Sequence, residues 1–167
     1  MTDGGSHPRL TEAAGPPDFA VARELFQKYA AQLEIDLCFQ GFAAELDRLT
    51  SMYAPPAGSL ILARSGKSPI GCGAIRRLSD ESCEMKRLYV RPEARGTGLG
   101  RNLAERLVGR AAALGYRRMY LDTLVEMAPA RGLYRSLGFR ETAPYYDNPL
   151  PGVVYMALDI PGTGNGS

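Results

Sequence analysis

Cys83-Glu84-Met85-Lys86-Arg87-Leu88-Tyr89-Val90-Arg91-Pro92-Glu93-Ala94-Arg95-Gly96-Thr97-Gly98-Leu99-Gly100-Arg101-Asn102-Leu103 is the stretch on which the fold turns. Its first part, Cys83 to Val90, is an extended run that Pro92 ends. Its last part opens a long helix striped by Leu99, Leu103 and Leu107, then Val108 and Ala111, which ends near Gly115. Between them lies Arg95-Gly96-Thr97-Gly98-Leu99-Gly100. Glycine lets successive backbone N–H groups turn inward with no Cβ in the way. At a helix N-terminus, where the macrodipole is positive, such groups form a cradle for phosphate oxygens. Arg95 and Arg101 would add charge-assisted hydrogen bonds. Two competing phosphate motifs fail here. The glycines stand at 96, 98 and 100 and not as G-x-G-x-x-G, and Gly100 is followed by Arg101-Asn102 where a P-loop needs Lys-Ser/Thr. A turn that binds nothing explains three glycines poorly.

Working outward, Asp18 follows Pro16-Pro17 as a possible N-cap, and Ala20, Val21, Leu25, Phe26 and Tyr29 keep a helical period. A second helix fits Gly41 to Leu49, where Phe42, Leu46 and Leu49 share a face. The turn residues Pro55-Pro56-Ala57-Gly58 precede Leu60 to Ala63, the breaker Ser65-Gly66-Lys67-Ser68, and Pro69 to Arg76, which together read as a β-hairpin. Beyond the long helix come a strand at Met119 to Leu124, a helix at Pro129 to Leu137 closed by Gly138, and strands near Phe139 and at Val153 to Leu158. A helix between two neighbouring strands makes them parallel, so the sheet is expected to be mixed. The sequence shows no internal repeat. Residues 1–16 and 161–167 are expected as flexible tails around one domain at 17–160.

The chain has 167 residues, 45% of them hydrophobic, enough for one sizeable core. It has no apolar run long enough to cross a bilayer and no secretory leader pattern, so a soluble cytoplasmic protein is expected. Cys38, Cys72 and Cys83 lack the paired spacing of zinc or redox motifs and are expected to be reduced structural thiols. His7, in the first tail, is the one histidine, which removes the usual general base and the usual transition-metal ligand. Any catalysis must run on carboxylates, tyrosine or backbone, and no metal is expected. Net charge is +2, yet Lys86 to Arg118 holds nine basic residues against Glu93 and Glu105.

Arg95 to Gly100 resembles the pyrophosphate-binding pattern Gln/Arg-x-x-Gly-x-Gly/Ala of the GCN5-related N-acetyltransferase (GNAT) superfamily, placed as there between a strand and a long helix. Arg87-Leu88-Tyr89-Val90-Arg91-Pro92 is similar to the family's bulged strand, and Ala130 to Phe139 looks like its last helix. The resemblance covers about residues 18–158, with strong motifs only between 84 and 139. It implies an α/β fold of the mixed α+β kind. The central twisted sheet is mostly antiparallel, the strands at 83–90 and 119–124 are parallel and splayed, and helices flank it.

The same resemblance implies an enzyme, an acetyl-CoA-dependent N-acetyltransferase whose acceptor attacks directly in a ternary complex. Acetyl-CoA, the cosubstrate, would be held by Leu88, Tyr89, Val90, Arg95, Gly96, Thr97, Gly98, Leu99, Gly100 and Arg101. Pantetheine would lie in the splay, its amides paired with backbone at Leu88 to Val90. Tyr134, four residues before Gly138-Phe139, would point at the thioester sulfur as general acid. Glu84, eleven residues before Arg95, has the spacing of the glutamate base of histone-acetylating members; as an ordinary residue it would pair with Lys86 or an arginine. The Val90 N–H is the expected oxyanion donor.

The family's acceptor regions correspond to Leu37 to Phe42 and Tyr145 to Pro149, with Asp36 or Asp147 available to attract an ammonium group. A small-molecule, amino-acid or peptide amine is the expected partner. Nucleic acid and membrane are not, and monomer or homodimer stays open. Two rival readings stand beside this one. A non-catalytic CoA-binding sensor would keep the cradle but need neither Glu84 nor Tyr134. A nucleic-acid binder would use the run from Lys86 to Arg118, where Arg106 and Arg110 alternating with leucines look more like a solvated helix face.

Overall fold

The computed structural model describes residues 7–33 and 41–161. Strand β1 is Arg9–Glu12, helix α1 Gly15–Leu33, and short helices α2 and α3 are Phe42–Asp47 and Leu49–Met52. Strands β2 (Ser59–Ser65), β3 (Ser68–Arg77) and β4 (Ser82–Val90) follow, then helix α4 (Leu99–Ala113), strand β5 (Arg118–Leu124), helix α5 (Ala128–Ser136), and strands β6 (Arg140–Glu141) and β7 (Val153–Asp159). They form a seven-stranded sheet in the order β1-β2-β3-β4-β5-β7-β6. The β4–β5 pair is parallel and the other neighbours are antiparallel. This is the mixed, mostly antiparallel sheet expected from the order of elements, with α4 as the crossover between the parallel strands.

Both faces of the sheet are covered, which is why β2 reads as a continuous buried run from Ser59 to Ala63. Ile61 and Ala63 pack with Leu99, Leu103, Leu107 and Ala111 of α4. Leu60 and Leu62 point the other way, to Phe19, Ala22, Leu25 and Phe26 of α1. Burying Leu25 and Phe26 completely contributes about 1.5–3 kcal/mol each. Helix α4 lies close against β3, where a Cβ at Gly73 would come 2.7 Å from Leu107.

The first sixteen residues are not all tail. Arg9 to Glu12 pair with Arg64 to Ile61 as an edge strand, and the Ala13 N–H donates to the Leu60 carbonyl. The four-residue strand is too short for its periodicity to show within a stretch rich in Gly, Pro and charge. Helix α1 begins at Gly15, with the prolines in its first turn, where a missing N–H costs nothing. Asp18 therefore lies inside that turn and not at the N-cap, and its carboxylate accepts a hydrogen bond from the Ala14 N–H. The remaining tail positions 1–6 and 162–167 lie outside the described residues.

Two departures from a regular ladder shape the middle of the sheet. Strands β4 and β5 pair only from Ser82 to Glu84 against Arg118 to Tyr120, and then part. Against β3, the register of β4 slips between Cys72↔Tyr89 and Ala74↔Lys86, so Arg87 and Leu88 stand opposite Gly73 alone. Arg87 adopts φ 58°, rare for a residue with a Cβ. The extra residue turns Lys86 and Arg87 to the same face of the sheet, where strict alternation would send Arg87 into the α4 core.

Candidate active site

The splay between β4 and β5 is a cavity of about 330 Å³. Met85, Lys86, Arg87, Leu88 and Val90 line it from β4, and Leu121 to Leu124 from β5. Arg95 and Gly100 stand at the glycine-rich end, Leu133 and Tyr134 come from α5, Tyr29 from α1, and Asn148 and Leu150 from the segment before β7.

At the glycine-rich end, Gly96 and Gly98 sit at φ 79° and 85°, conformations that cost an L side chain about 1–2 kcal/mol. Gly98 is the N-cap of α4 with no side-chain cap, and the Thr97 hydroxyl is turned away to the Ala94 carbonyl. The Asn102 N–H donates to the Gly98 carbonyl, so the amides of Leu99, Gly100 and Arg101 precede the first helical bond. The result is a run of N–H groups with no intrahelical partner, among the described residues, beside two arginines. Arg95 donates to the Val90 carbonyl (3.0 Å) and to the Gln32 side chain, while Arg101 donates to the Ser136 hydroxyl (2.7 Å).

Along β4, the Arg91 N–H bonds to the Ile70 carbonyl across β3. The alternation of an antiparallel ladder then turns the N–H of Val90 away from β3, towards the gap, and points that of Tyr89 at β3. Tyr89 is buried on the opposite side, edge-to-face with Tyr29, and does not line the cavity. Of the run Leu88 to Val90, expected among the cofactor contacts, Leu88 and Val90 line the cavity.

The far wall is ionic and phenolic. Arg87 holds Glu45 of α2 through two hydrogen bonds (2.9 and 2.7 Å), and the Tyr53 hydroxyl donates to the same carboxylate. Burial pulls the Glu45 carboxyl up, but the hydrogen bonds and charge of Arg87 outweigh it and leave it below the ordinary value. Asp122 of β5 accepts from the Tyr146 hydroxyl and from Asn148 (3.1 Å). Tyr134 is buried against Phe139, and burial, with Tyr29 and Asp122 nearby, pushes its phenol well above the ordinary value.

The acetyltransferase (GNAT) family profile matches residues 22–139. The chain belongs to that family. An uncharacterized N-acetyltransferase of Schizosaccharomyces pombe is 43% identical over 87% of this chain and 90% of its own length. The IAA acetyltransferase of Azospirillum brasilense is 35% identical over 77% of this chain and 89% of its own length. A Salmonella typhimurium structure solved with its cofactor acetyl-CoA superposes at a TM-score of 0.67, with 21% identity, covering 97% of this chain and 99% of that one. This GNAT protein is an N-acetyltransferase.

Within the GNAT site, the structure brings Tyr134, Leu88, Val90, Arg95 and Gly100 to one cavity, with Gly96, Thr97, Gly98, Leu99 and Arg101 forming the adjoining turn. Glu84 is not on the cavity wall. It is buried, paired with Arg76 (2.8 Å) and accepting from the Tyr145 hydroxyl (2.5 Å). Of the acceptor regions, Asn148 lines the cavity and Asp147 is exposed, whereas Asp36 and Leu37 to Gln40 lie outside the described residues. Sequence reasoning missed Asp122, Lys86 and the Arg87–Glu45 pair. An acid in the otherwise apolar strand Met119 to Leu124 was the available signal for Asp122; nothing local tied Glu45 to a residue 42 positions away.

Proposed function

We propose that this N-acetyltransferase binds acetyl-CoA with its pyrophosphate at Gly96 to Arg101 and its pantetheine in the β4–β5 gap, and passes the acetyl group to a primary amine. The observation that carries the reading is the continuity of one cavity, from Arg95 and Gly100 past the Val90 N–H to Asp122 and Tyr134. The acceptor amine, freed of its proton, attacks the thioester carbon. The C–N bond forms, the Val90 N–H stabilises the oxyanion, and the C–S bond breaks to release the CoA thiolate. Positioning of both substrates supplies much of the acceleration.

The ammonium proton goes to Asp122, the carboxylate on the cavity wall, with Tyr146 and Asn148 orienting it, and the second proton, shed by the nitrogen as the amide forms, is taken up by the CoA thiolate. Glu84 shares that face of the sheet through Tyr145 and acts by holding the phenolic cluster in place. Tyr134 donates a hydrogen bond to the departing sulfur. A phenol held above 10 is a weaker acid than a thiol near 8.5, so it stabilises the thiolate more than it surrenders a proton to it.

Direct attack fits the cavity's lining. Cys72 and Cys83 are buried elsewhere, so among the described residues no cysteine faces the gap to carry an acyl group. Initial rates measured against both substrates should give intersecting reciprocal plots. Parallel plots, the mark of an acyl-enzyme, would contradict the ternary complex. No helix among the described residues is long and apolar enough to cross a membrane, and the reading is of a cytoplasmic enzyme.

A further inference from the structure

Between α1, α2 and the face of the sheet turned towards them stand three carboxylates and three cations, unevenly paired. Glu84 is matched by Arg76, and Glu45 by Arg87. Asp122 is held by a phenol and an amide. Lys86 stands among them, half-buried on the cavity wall, and its ammonium has no hydrogen bond or ion pair among the described residues. Burial lowers its pKa, an effect that Glu84 opposes and the charge of Arg87 reinforces. A cation taken partly out of water without a partner is costly, and a bound anion would offset that cost.

Its position separates it from the phosphate cradle. Lys86 precedes the bulge and faces Ala74, three residues along β3 from Gly71, the partner of Val90, or about 10 Å of strand. The charged groups that act on it are Glu84, Arg87, Glu45 and Arg76, and none belongs to the glycine-rich turn. With the CoA arm entering from the Arg95 end, Lys86 faces the part of the cavity left to the second substrate. The two glutamates are already paired with arginines, so the charges left there without an ion-pair partner among the described residues are Lys86 and Asp122, opposite in sign like the two ends of a zwitterion.

We propose that Lys86 binds a carboxylate on the acceptor, so that the amine acetylated by this enzyme belongs to an amino-acid-like zwitterion. This rests on the proposed function above and narrows it. The carboxylate sits on the Lys86 ammonium while the amine turns to Asp122 and the thioester. A peptide or protein N-terminus, whose first carboxyl is an amide, lacks the group that Lys86 reads. A site built around a charged hydrogen-bonding partner discriminates strongly against an analogue without it.

The test needs no turnover. A set of N-acetylamino acids with small, acidic and aromatic side chains, and the matching N-acetylamino acid amides, are titrated by calorimetry into the protein saturated with CoA. The carboxylates should bind about tenfold or more tighter than their amides. Lys86→Met should bring the two to parity while CoA affinity holds, and Lys86→Arg should keep part of the preference. Equal binding of amides and carboxylates, a preference that survives Lys86→Met, or no binding by any carboxylate would each overturn the inference. Loss of the CoA step itself would instead strike the proposed function, so the two failures are told apart in one experiment.

Discussion

At Tyr134 and Asp122 the roles divide by environment. Tyr134 is a neutral phenol at physiological pH, as any tyrosine is, and burial holds its proton more firmly still. Removing the hydroxyl in Tyr134→Phe keeps the packing on Phe139 and should lower kcat by about 10- to 100-fold, with acetyl-CoA affinity unchanged. Unchanged kcat in steady-state assays would remove Tyr134 from the mechanism. For Asp122→Asn the deficit should widen as pH falls, because an amine that is mostly protonated depends most on a base. Glu84→Gln should lower kcat without changing the shape of the pH profile, since Glu84 reaches the cavity only through Tyr145. A profile altered by Glu84→Gln and untouched by Asp122→Asn would exchange their assignments.

The bulge in β4 turns Arg87 to the cavity and into a buried ion pair. Arg87, left-handed and 5% exposed, is fixed by Glu45, whose carboxylate also accepts from Tyr53, and its guanidinium lies over the rings of Phe42 (5.1 Å) and Tyr29 (5.9 Å). Arg87→Met leaves the Glu45 carboxylate buried without a counter-charge hydrogen-bonded to it and should cost about 3–5 kcal/mol in denaturant unfolding. Combining it with Glu45→Leu should recover most of that loss; a double variant no more stable than the single one would show that the pair is not the cause. The pH dependence has a definite sign. Glu45 is held below its ordinary 4.5, so its contribution is complete above that pH and disappears as pH falls through the lower folded-state value. Glu45→Gln should flatten the acid limb of the stability curve, and an unchanged limb would contradict the pairing.

Much of the molecule was legible because the residues that determine it are local. The leucine stripe from Leu99 to Leu107 and the glycines before it place α4 and the turn at its start, and the place of Tyr134 follows from the resemblance of Ala130 to Phe139 to the family's last helix. What was illegible is what the sheet assembles. The partner of Glu84 comes from β3 and a phenol before β7, and that of Arg87 from α2, so neither pairing has a signal in spacing. The edge strand β1 was hidden in the same way, since its order comes from β2 and not from its own composition. Glu12, at its end, accepts from Ser59 and Arg110, which ties the edge to the long helix. Deleting residues 1–12 should therefore lower Tm by several degrees, at about 2–4 °C per kcal/mol, and expose β2 to edge pairing visible in light scattering. An unchanged Tm would return this segment to the status of a tail. The most direct test of the whole account is calorimetric titration with acetyl-CoA of the wild type and of Gly98→Glu, each first shown to be folded by circular dichroism. Selective binding of acetyl-CoA that the added carboxylate abolishes is the expected result, and a folded wild type that binds no CoA species would contradict the donor site on which everything else rests.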